Sequence, residues 1–336
     1  MSKLILPKRY ESSLDLMETQ RAIKKIKDFF QQELAYGLEL RRVSAPLAVD
    51  PAKGLNDNLN GTERTVSFTI KDLNEMRAEV PQSLAKWKRA ALARYGIGPG
   101  HGIYTDMNAL RRDEELDNLH SIYVDQWDWE KVIRKEDRTE DYLKETVITI
   151  YIAIKNLGDY VNRLYRKVKT KLPNEIYFIT SQELEDKYPD LSPKERENAI
   201  AKEKRAVFIM KIGGILKSGE KHDGRAPDYD DWELNGDIIL WNDILECAFE
   251  ISSMGIRVDE EAMERQLKIA GAEDRKELEF HKAILNGELP YSIGGGIGQS
   301  RLCMYFLRKA HIGEVQAALW PEDMIKKCGE NKIYLL

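Results

Sequence analysis

The spacing of apolar residues along the chain predicts two long helices and many short strands. In residues 18–35, apolar side chains recur at the three- and four-residue intervals of an amphipathic helix. Gly37 can end this helix, and residues 38–43 then have the pattern of a strand that stops before Pro46. A second apolar stripe predicts a long helix within residues 138–170.

The remaining pattern alternates between short strands and charged helical segments. Further helices are predicted at 83–95, in the charged region 181–204, twice within 259–287 around Gly271, and finally from about Gln299. The polar, Asp-rich residues 222–233 are predicted to form a loop. Short apolar or alternating runs predict the other strands, at residues 64–70, 77–80, 103–109, 121–129, 176–179, 207–212, 237–241 and 246–252.

Strands and helices do not alternate regularly, and several predicted strands are neighbours in sequence. This order favours a mainly antiparallel β-sheet flanked by helices over a doubly wound parallel sheet. The chain has no internal repeat, low-complexity tract or evident linker. We therefore predict a single α+β domain over residues 1–336.

Composition excludes several classes of protein. The net charge of −5 gives no general attraction to nucleic acid or to anionic membranes. No apolar run approaches the roughly 20 residues that a membrane-spanning helix needs, and the N-terminus does not have the pattern of a secretory signal. The three cysteines form no C-x-x-C pair, which argues against a disulfide framework or a structural zinc site. We expect a soluble protein in a reducing, cytoplasmic setting that binds neither nucleic acid nor membranes.

Two glycine-rich segments do not match the standard phosphate-binding motifs. Residues 213–221 resemble a P-loop, but Glu220 occupies the position of the essential lysine. Residues 294–301 (GGGIGQSR) miss the dinucleotide fingerprint because Gln299 replaces its third glycine. The second segment does place Gly294, Gly296 and Gly298 ahead of Arg301, which would let the backbone approach a flat ligand beside a cationic group. Alone, it is more often a turn before a helix.

Three segments together resemble the motifs of class II aminoacyl-tRNA synthetases, in the family's order. The helix 18–35 with its strand and Pro46 resembles motif 1, which lies at the dimer interface of those enzymes. Residues 103–130 resemble motif 2, two antiparallel strands whose connecting loop begins with an arginine, here Arg111. The glycine-rich segment with Arg301 resembles motif 3. The resemblance implies the class II catalytic fold and a homodimer through the first helix–strand unit.

Longer strings resemble the asparagine synthetase A family, the ammonia-dependent aspartate–ammonia ligases. The similarity spans essentially the whole chain and includes DNLNG (57–61), SLAKWKR (83–89), LHSIYVDQWDWE (119–130), RAPDYDDW (225–232), ISSMGIRVD (251–259) and IGGGIGQSRL (293–302). It implies synthesis of asparagine from aspartate, ammonia and ATP through a β-aspartyl adenylate, with release of AMP and pyrophosphate. The connection at 231–237, which belongs to the lid region of the active site, is shorter than in some relatives.

The resemblance also implies a role for individual residues. Arg111 would hold the α-phosphate of ATP, Arg301 the γ-phosphate, and Asp237 with Glu250 would coordinate Mg²⁺, a cation that prefers carboxylate and phosphate oxygens. Glu250 and the three glycines Gly294, Gly296 and Gly298 would also contact the nucleotide. Arg257, gripping in a bidentate manner, and Lys88 would anchor the carboxylates of aspartate, and Lys88 would also take part in catalysis. Asp128 would bind its ammonium group, while orientation would come from Ser83, Gln126 and Ser253.

The second half-reaction needs neutral ammonia, so a carboxylate should accept a proton from ammonium. Asp57 is the candidate, with Asp230 as a weaker alternative. Lys86, Arg112 and Asp231 are predicted to be solvated surface charges. Trp127 and Trp129 alternate with the site residues on one strand and should face the core.

Two other functions compete with this reading. An aspartyl- or asparaginyl-tRNA synthetase would carry an anticodon-binding barrel before its catalytic core, and motif 1 already begins near residue 18. A catalytically inactive amino-acid sensor would be expected to lose a phosphate-binding arginine or a metal carboxylate, and all are retained here. Adenylate release from aspartate and ATP, with or without tRNA, distinguishes the three functions.

Overall fold

A large β-sheet runs through the computed structural model, which describes residues 4–57, 59 and 63–336. The strands are β1 (Leu40–Arg42), β2 (Ser67–Ile70), β3 (Met76–Glu79), β4 (Gly102–Leu110), β5 (Tyr123–Val132), β6 (Tyr177–Thr180), β7 (Ala206–Met210), β8 (Asp230–Asn242), β9 (Cys247–Arg257) and β10 (Ser292–Gly298). Eight of them form one sheet in the order β1–β4–β5–β10–β9–β8–β7–β6, and β2 pairs with β3 in a separate ribbon. The outer pairs β1–β4 and β6–β7 are parallel, and the remaining pairs are antiparallel. The prediction of a mainly antiparallel α+β fold is confirmed.

Helices cover both faces of this sheet. They are α1 (Leu16–Leu38), α2 (Ala85–Arg94), α3 (Glu140–Leu164), α4 (Ser181–Lys187), α5 (Pro193–Lys204), α6 (Glu260–Ala270), α7 (Glu279–Leu285), α8 (Gln299–Phe306) and α9 (Glu322–Glu330). Asp15 begins α1 with a capping box completed by Glu18, and Thr139 caps the start of α3. Both long amphipathic patterns in the sequence therefore form helices. Helix α1 is longer than the predicted range 18–35, and α3 is shorter than the predicted range 138–170.

One face of the sheet packs against α1, α3 and α8 and forms the main core. Trp127 and Trp129 of β5 are fully buried there, and the ring of Trp127 lies 4.9 Å from the ring of Phe30 in α1. The prediction that these tryptophans face the core is confirmed. Because side chains alternate along a strand, Gln126 and Asp128 project from the opposite face.

That opposite face is only partly covered. Helix α2 packs on β4, β5 and β10 near one edge, while α4 and α5 cover β6 to β9 near the other. Between them, the middle strands β5, β10 and β9 are left open to a cavity. The fold thus places the strands that carry most of the predicted site residues under a gap between two helical layers.

Several predictions about individual segments are wrong. Residues 222–233 are not entirely a loop, because β8 begins at Asp230, and Asp231 is a buried residue that pairs with Arg138 at 2.9 Å. The segment Gly294–Gly298 is a central strand bonded on both sides, although glycines usually weaken a strand pattern. The helix that follows it is not the last one, since α9 lies beyond it.

Candidate active site

A cavity of about 430 Å³ opens over the middle of the sheet. Its wall combines side chains of α2, β5 and β9 with the loop after β4 and with residues 223–230. Of the residues predicted to form the site, it brings together Asp57, Ser83, Lys88, Arg111, Gln126, Asp128, Glu250, Ser253, Arg257, Gly296, Gly298 and Arg301. Gly294 and Asp237 lie close behind this wall and do not line it.

A β-bulge places two predicted metal ligands on the same face of the sheet. Ile238 of β8 pairs with Ser252 of β9, but Ile239 pairs with Glu250, so Ile251 is an extra residue. With regular pairing, Glu250 would project away from Asp237, because successive side chains point to opposite faces. The bulge resets this alternation, and both carboxylates then point toward the cavity side.

The glycines of β10 make room for side chains of its neighbours. A Cβ added at Gly294 would lie 2.0 Å from Oε2 of Glu130, and one at Gly296 would lie 2.2 Å from Oε1 of Gln126. Only glycine allows these side chains to cross above the strand. The structure therefore places Gly294 beneath Glu130, and Gly296 beneath Gln126 and Asp128. The nucleotide contacts predicted for these glycines stay a prediction. Gly298 lies at the other end, against Arg301.

Lys88 and Asp128 form a buried ion pair at one end of the cavity. Nζ of Lys88 donates to Oδ1 of Asp128 at 2.8 Å and to the carbonyl oxygen of Gly295 at 3.0 Å. Lys88 is only 1% exposed. Oδ2 of Asp128 is buried and has no hydrogen-bond partner within the described residues. This carboxylate can therefore still accept a hydrogen bond from a ligand.

Arg257 is held rigidly beside that pair. Nε and Nη2 of Arg257 donate to the two carboxylate oxygens of Glu130 at 2.9 and 2.7 Å, and Nη1 is bonded to Asp230. Burial raises the pKa of Glu130, but the charge of Arg257 and its hydrogen bonds outweigh this effect and keep the pKa below its usual value. The Nε–Nη2 edge of Arg257, which was predicted to bind the substrate in a bidentate manner, thus binds Glu130 instead. Only the remaining N–H groups of Arg257 can bind a ligand.

Glu130 is a site residue that the sequence reasoning missed. It is fully buried, accepts a hydrogen bond from Ser292 Oγ at 2.8 Å, and lies 3.9 Å from Nζ of Lys88. A signal for it exists in the sequence, because Gln126, Asp128 and Glu130 share one face of a strand by their two-residue spacing. A buried carboxylate at the end of that series needs cationic partners.

Two arginines reach the cavity from its other end. Arg111 starts the loop after β4, where its backbone N–H donates to Ile122 O at 2.8 Å, and its Nη1 lies 3.8 Å from Glu114. Arg301 lies in the first turn of α8 and donates to the carbonyl oxygen of Glu250 at 2.9 Å. Its guanidinium also lies 3.6 Å from the Glu250 carboxylate. Both arginines are partly exposed to the cavity and could bind an anionic ligand.

The Asp237 carboxylate lies among charged neighbours. It forms an ion pair with Arg225, and Glu250 adds a second negative charge nearby. Burial raises the pKa of Asp237, Arg225 opposes this rise, and the charge of Glu250 reinforces it. No group of three or more His, Cys, Asp or Glu side chains suited to a metal occurs in the described parts of the chain. The two carboxylates with hard oxygen donors fit Mg²⁺, which commonly takes one or two carboxylates together with substrate phosphates.

Asp57 occupies a buried position on the cavity wall. Its Oδ1 accepts from the backbone N–H of Leu59 at 2.9 Å, whereas Oδ2 has no partner among the residues described. Burial raises the pKa of Asp57. Asn58, Asn60 and Gly61 of the DNLNG string lie outside the described residues.

Lys86 is not the solvated surface charge that was predicted. It is 4% exposed and pairs with Asp228 at 2.7 Å, and Asp228 also accepts from Arg275 at 3.0 Å and approaches His281 at 2.9 Å. The prediction failed because the partners lie far apart in sequence and meet only in the folded chain. Arg112 is exposed, as predicted. The Asp228 cluster anchors residues 223–230 to α2 and α7, next to the cavity.

The strand order, the helical layers and the arginine-bearing motifs define a catalytic domain of the class II aminoacyl-tRNA synthetase type. Solved structures support this fold class. An asparaginyl-tRNA synthetase from Entamoeba histolytica aligns with a TM-score of 0.63 over 90% of this chain and 67% of its own length, at 14% identity. The Pyrococcus horikoshii asparaginyl-tRNA synthetase, solved with asparaginyl-adenylate, aligns with a TM-score of 0.59 over 90% of this chain and 70% of its own, at 17% identity.

Sequence comparison identifies the family within that class. The family model described as aspartate-ammonia ligase matches residues 17–332. The aspartate–ammonia ligase of Clostridium tetani is 64% identical over 99% of this chain and 98% of its own length, and that of Ruminiclostridium cellulolyticum is 61% identical over the full length of both. The chain belongs to the aspartate–ammonia ligase family, which confirms the family predicted from its sequence strings.

Proposed function

We propose that this enzyme makes asparagine from aspartate, ammonia and ATP through a β-aspartyl adenylate. The β-carboxylate oxygen of aspartate attacks the α-phosphorus of ATP, a P–O bond breaks, and pyrophosphate leaves. The nitrogen of ammonia then attacks the activated carbonyl carbon and AMP leaves with the former carboxylate oxygen. The observation that carries the proposal is one cavity that is lined by the buried Lys88–Asp128 pair and by Arg111 and Arg301, in a chain of this family.

The Lys88 end of the cavity suits the amino acid. Lys88 has a third N–H that its two hydrogen bonds leave unused, and the free Oδ2 of Asp128 suits an ammonium group. Arg257 supplies a fixed positive charge for a carboxylate because Glu130 holds its plane. Ser83, Gln126 and Ser253 on the same wall would orient the bound aspartate by hydrogen bonds.

The arginine end suits the triphosphate. Arg111 on its loop would stabilise the negative charge that develops at the α-phosphate during attack. Arg301, held by Glu250, would bind the γ-phosphate. Positioning two anions against each other requires such fixed cations, because the anionic oxygens of the phosphate otherwise repel the attacking carboxylate.

Asp237 and Glu250 would hold Mg²⁺ together with phosphate oxygens. The two neighbouring carboxylates provide the hard oxygen donors that this ion prefers. When bound, Mg²⁺ would neutralise phosphate charge and help orient the leaving pyrophosphate.

Asp57 would accept the proton that ammonium must lose before its nitrogen can attack. Asp57 lines the cavity, its Oδ2 has no partner among the described residues, and burial raises the pKa of its carboxyl group, which favours binding of a proton. Ammonium is attracted by the same negative charge, so binding and deprotonation would use one group.

A homodimer through α1 and β1 would complete the enzyme. Helix α1 packs beside α3, where Gly37 approaches Thr149. Large apolar side chains of both helices are exposed: Tyr36 is 86% exposed, Ile148 44% and Ile152 53%. Exposed apolar surface of this kind can mark a protein interface. Sedimentation analysis of the wild type and of Tyr36→Glu tests this assembly, which a monomeric wild type would contradict.

None of the described helices is long and apolar enough to cross a membrane. The cysteines Cys247, Cys303 and Cys328 are free thiols. A reducing, cytoplasmic setting is the compartment that we propose for this enzyme.

The reaction is tested with purified protein, Mg·ATP, aspartate and ammonium chloride, without tRNA. We expect asparagine and AMP in equal amounts, and loss of both with Arg111→Ala or Arg301→Ala, while the exposed neighbour Arg112→Ala stays active. Binding of aspartate without any product would instead favour the amino-acid sensor. Charging of added tRNA, with no asparagine formed in its absence, would favour the tRNA synthetase.

A further inference from the structure

Arg225 separates a predicted metal ligand from the cavity. Arg225 lines the cavity, whereas Asp237, to which its Nη2 is bonded, lies behind it. The side chains are only 13% and 7% exposed, so the pair is largely shielded from solvent. A group that enters from the cavity therefore meets the Arg225 guanidinium before it reaches the Asp237 carboxylate.

Each of the two carboxylates has its own arginine partner. The Arg225 guanidinium bonds Asp237 directly, whereas Arg301 lies 3.6 Å from the Glu250 carboxylate. The Asp237 side chain is 7% exposed and that of Glu250 is 40% exposed. A buried carboxylate needs a compensating positive charge, and Arg225 supplies it to Asp237.

Residues 223–230 are anchored at Asp228 rather than at Arg225. Asp228, three residues further on, is anchored by Lys86, Arg275 and His281. Gly224 precedes Arg225 on the cavity wall, and Nε of Arg225 is buried without a partner in the described part of the chain. The arginine thus has one strong contact, to Asp237, on a segment whose far end is fixed.

We propose that Arg225 is the resident counter-cation of the metal site and must leave Asp237 before a divalent cation can bind there. Both cations need the same carboxylate, and the cavity, which would hold the phosphates, lies on the side that Arg225 covers. The nucleotide-free enzyme should therefore bind bare divalent cations weakly. This inference rests on the proposed Mg²⁺ site at Asp237 and Glu250.

The test measures Mn²⁺ binding to the nucleotide-free, full-length protein by electron paramagnetic resonance. Arg225→Gln removes the competing charge and should tighten Mn²⁺ binding about tenfold, a gain of roughly 1.4 kcal/mol. Arg205→Gln is the matched control, since it removes another Arg–Asp pair, with Asp243, at the far edge of the sheet. It should leave Mn²⁺ binding unchanged. Unchanged or weaker Mn²⁺ binding in Arg225→Gln would overturn the inference.

Two further variants keep the outcome interpretable. Arg225→Lys retains the charge and should bind Mn²⁺ as weakly as the wild type. This variant keeps the inference testable even if the glutamine variant folds poorly. Tighter Mn²⁺ binding in Arg225→Lys would contradict charge competition. Asp237→Asn is measured with Mn·ATP. If it does not weaken Mn·ATP binding, the metal site itself is wrong; if it does, while Arg225→Gln fails to tighten Mn²⁺ binding, only the role of Arg225 is wrong.

Discussion

Replacing Gly296 by alanine should damage aspartate binding with little effect on the rest of the enzyme. The added Cβ would lie 2.2 Å from Oε1 of Gln126 and 2.9 Å from Oδ1 of Asp128. The backbone cannot easily retreat, because Gly296 lies between β5 and β9 and pairs with Asp128 on one side and Ser253 on the other. The two side chains must therefore move away from their positions at the amino-acid end of the cavity.

The size of the effect follows from the hydrogen bonds to aspartate that the displaced side chains would lose. Losing one hydrogen bond to a charged group costs about 1.5–3 kcal/mol, which corresponds to about a 10- to 150-fold rise in the KM for aspartate. Steady-state kinetics with aspartate varied at saturating ATP and ammonium measures this. The KM for ATP should change less than about twofold, since a twofold change is only about 0.4 kcal/mol.

The neighbouring glycines supply matched controls. A Cβ at Gly295 points to the other face of the sheet and would lie 2.6 Å from Cβ of Met254, so Gly295→Ala should lower the melting temperature. At Gly298 the added Cβ would lie 3.0 Å from Cβ of Arg301, so Gly298→Ala should raise the KM for ATP. A Gly296→Ala enzyme whose KM for aspartate stays within twofold of the wild type would refute this account of the glycine row.

Three further predictions follow from the buried groups. Glu130→Gln should lower kcat/KM for aspartate. It should also lower the free energy of unfolding in urea by about 3 kcal/mol, because Arg257 loses its buried charged partner. An unchanged free energy of unfolding would contradict this role of the ion pair. Asp57→Asn should raise the KM for ammonium while aspartate-dependent ATP–pyrophosphate exchange, which precedes ammonia attack, stays intact; loss of the exchange would give Asp57 a different role. Burial lowers the pKa of His311 to about 4, below the 6.5 of an ordinary histidine. The folded protein therefore disfavours the protonated ring, and stability is complete above pH 6.5 and falls as the pH drops from 6.5 toward 4, by up to about 3 kcal/mol. His311→Asn, which can still accept the hydrogen bond from Gly313 N–H, should flatten this acid limb of urea-unfolding stability; an unchanged slope would refute the assignment.

The sequence predicted the parts of the fold that depend on local periodicity. The stripe of α3 and the alternation that buries Trp127 and exposes Asp128 to the cavity are properties of a few neighbouring residues. The start of β8 was missed because DYDD is polar, and its burial depends on Arg138 and Arg257, which arrive from other elements. Local pattern carries no information about such partners.

The candidate site likewise contains residues that the sequence could predict and contacts that only the fold creates. Most of its residues were found from the family resemblance, and Glu130 could have been added from strand alternation alone. Two contacts required the fold: the ion pair between Arg225 and Asp237, and the burial of Lys86 against Asp228. The docking of residues 223–230 against β8 and α2 brings these groups together. The charge of a residue was visible in the sequence, but its partner was not.

The adenylate route is tested most directly by the fate of an aspartate oxygen. Aspartate labelled with ¹⁸O in its β-carboxylate is converted with Mg·ATP and ammonium chloride, and the products are analysed by mass spectrometry. Attack of the β-carboxylate on the α-phosphorus predicts one ¹⁸O in the phosphate of AMP for each asparagine formed. Label in pyrophosphate or inorganic phosphate, with none in AMP, would contradict the account.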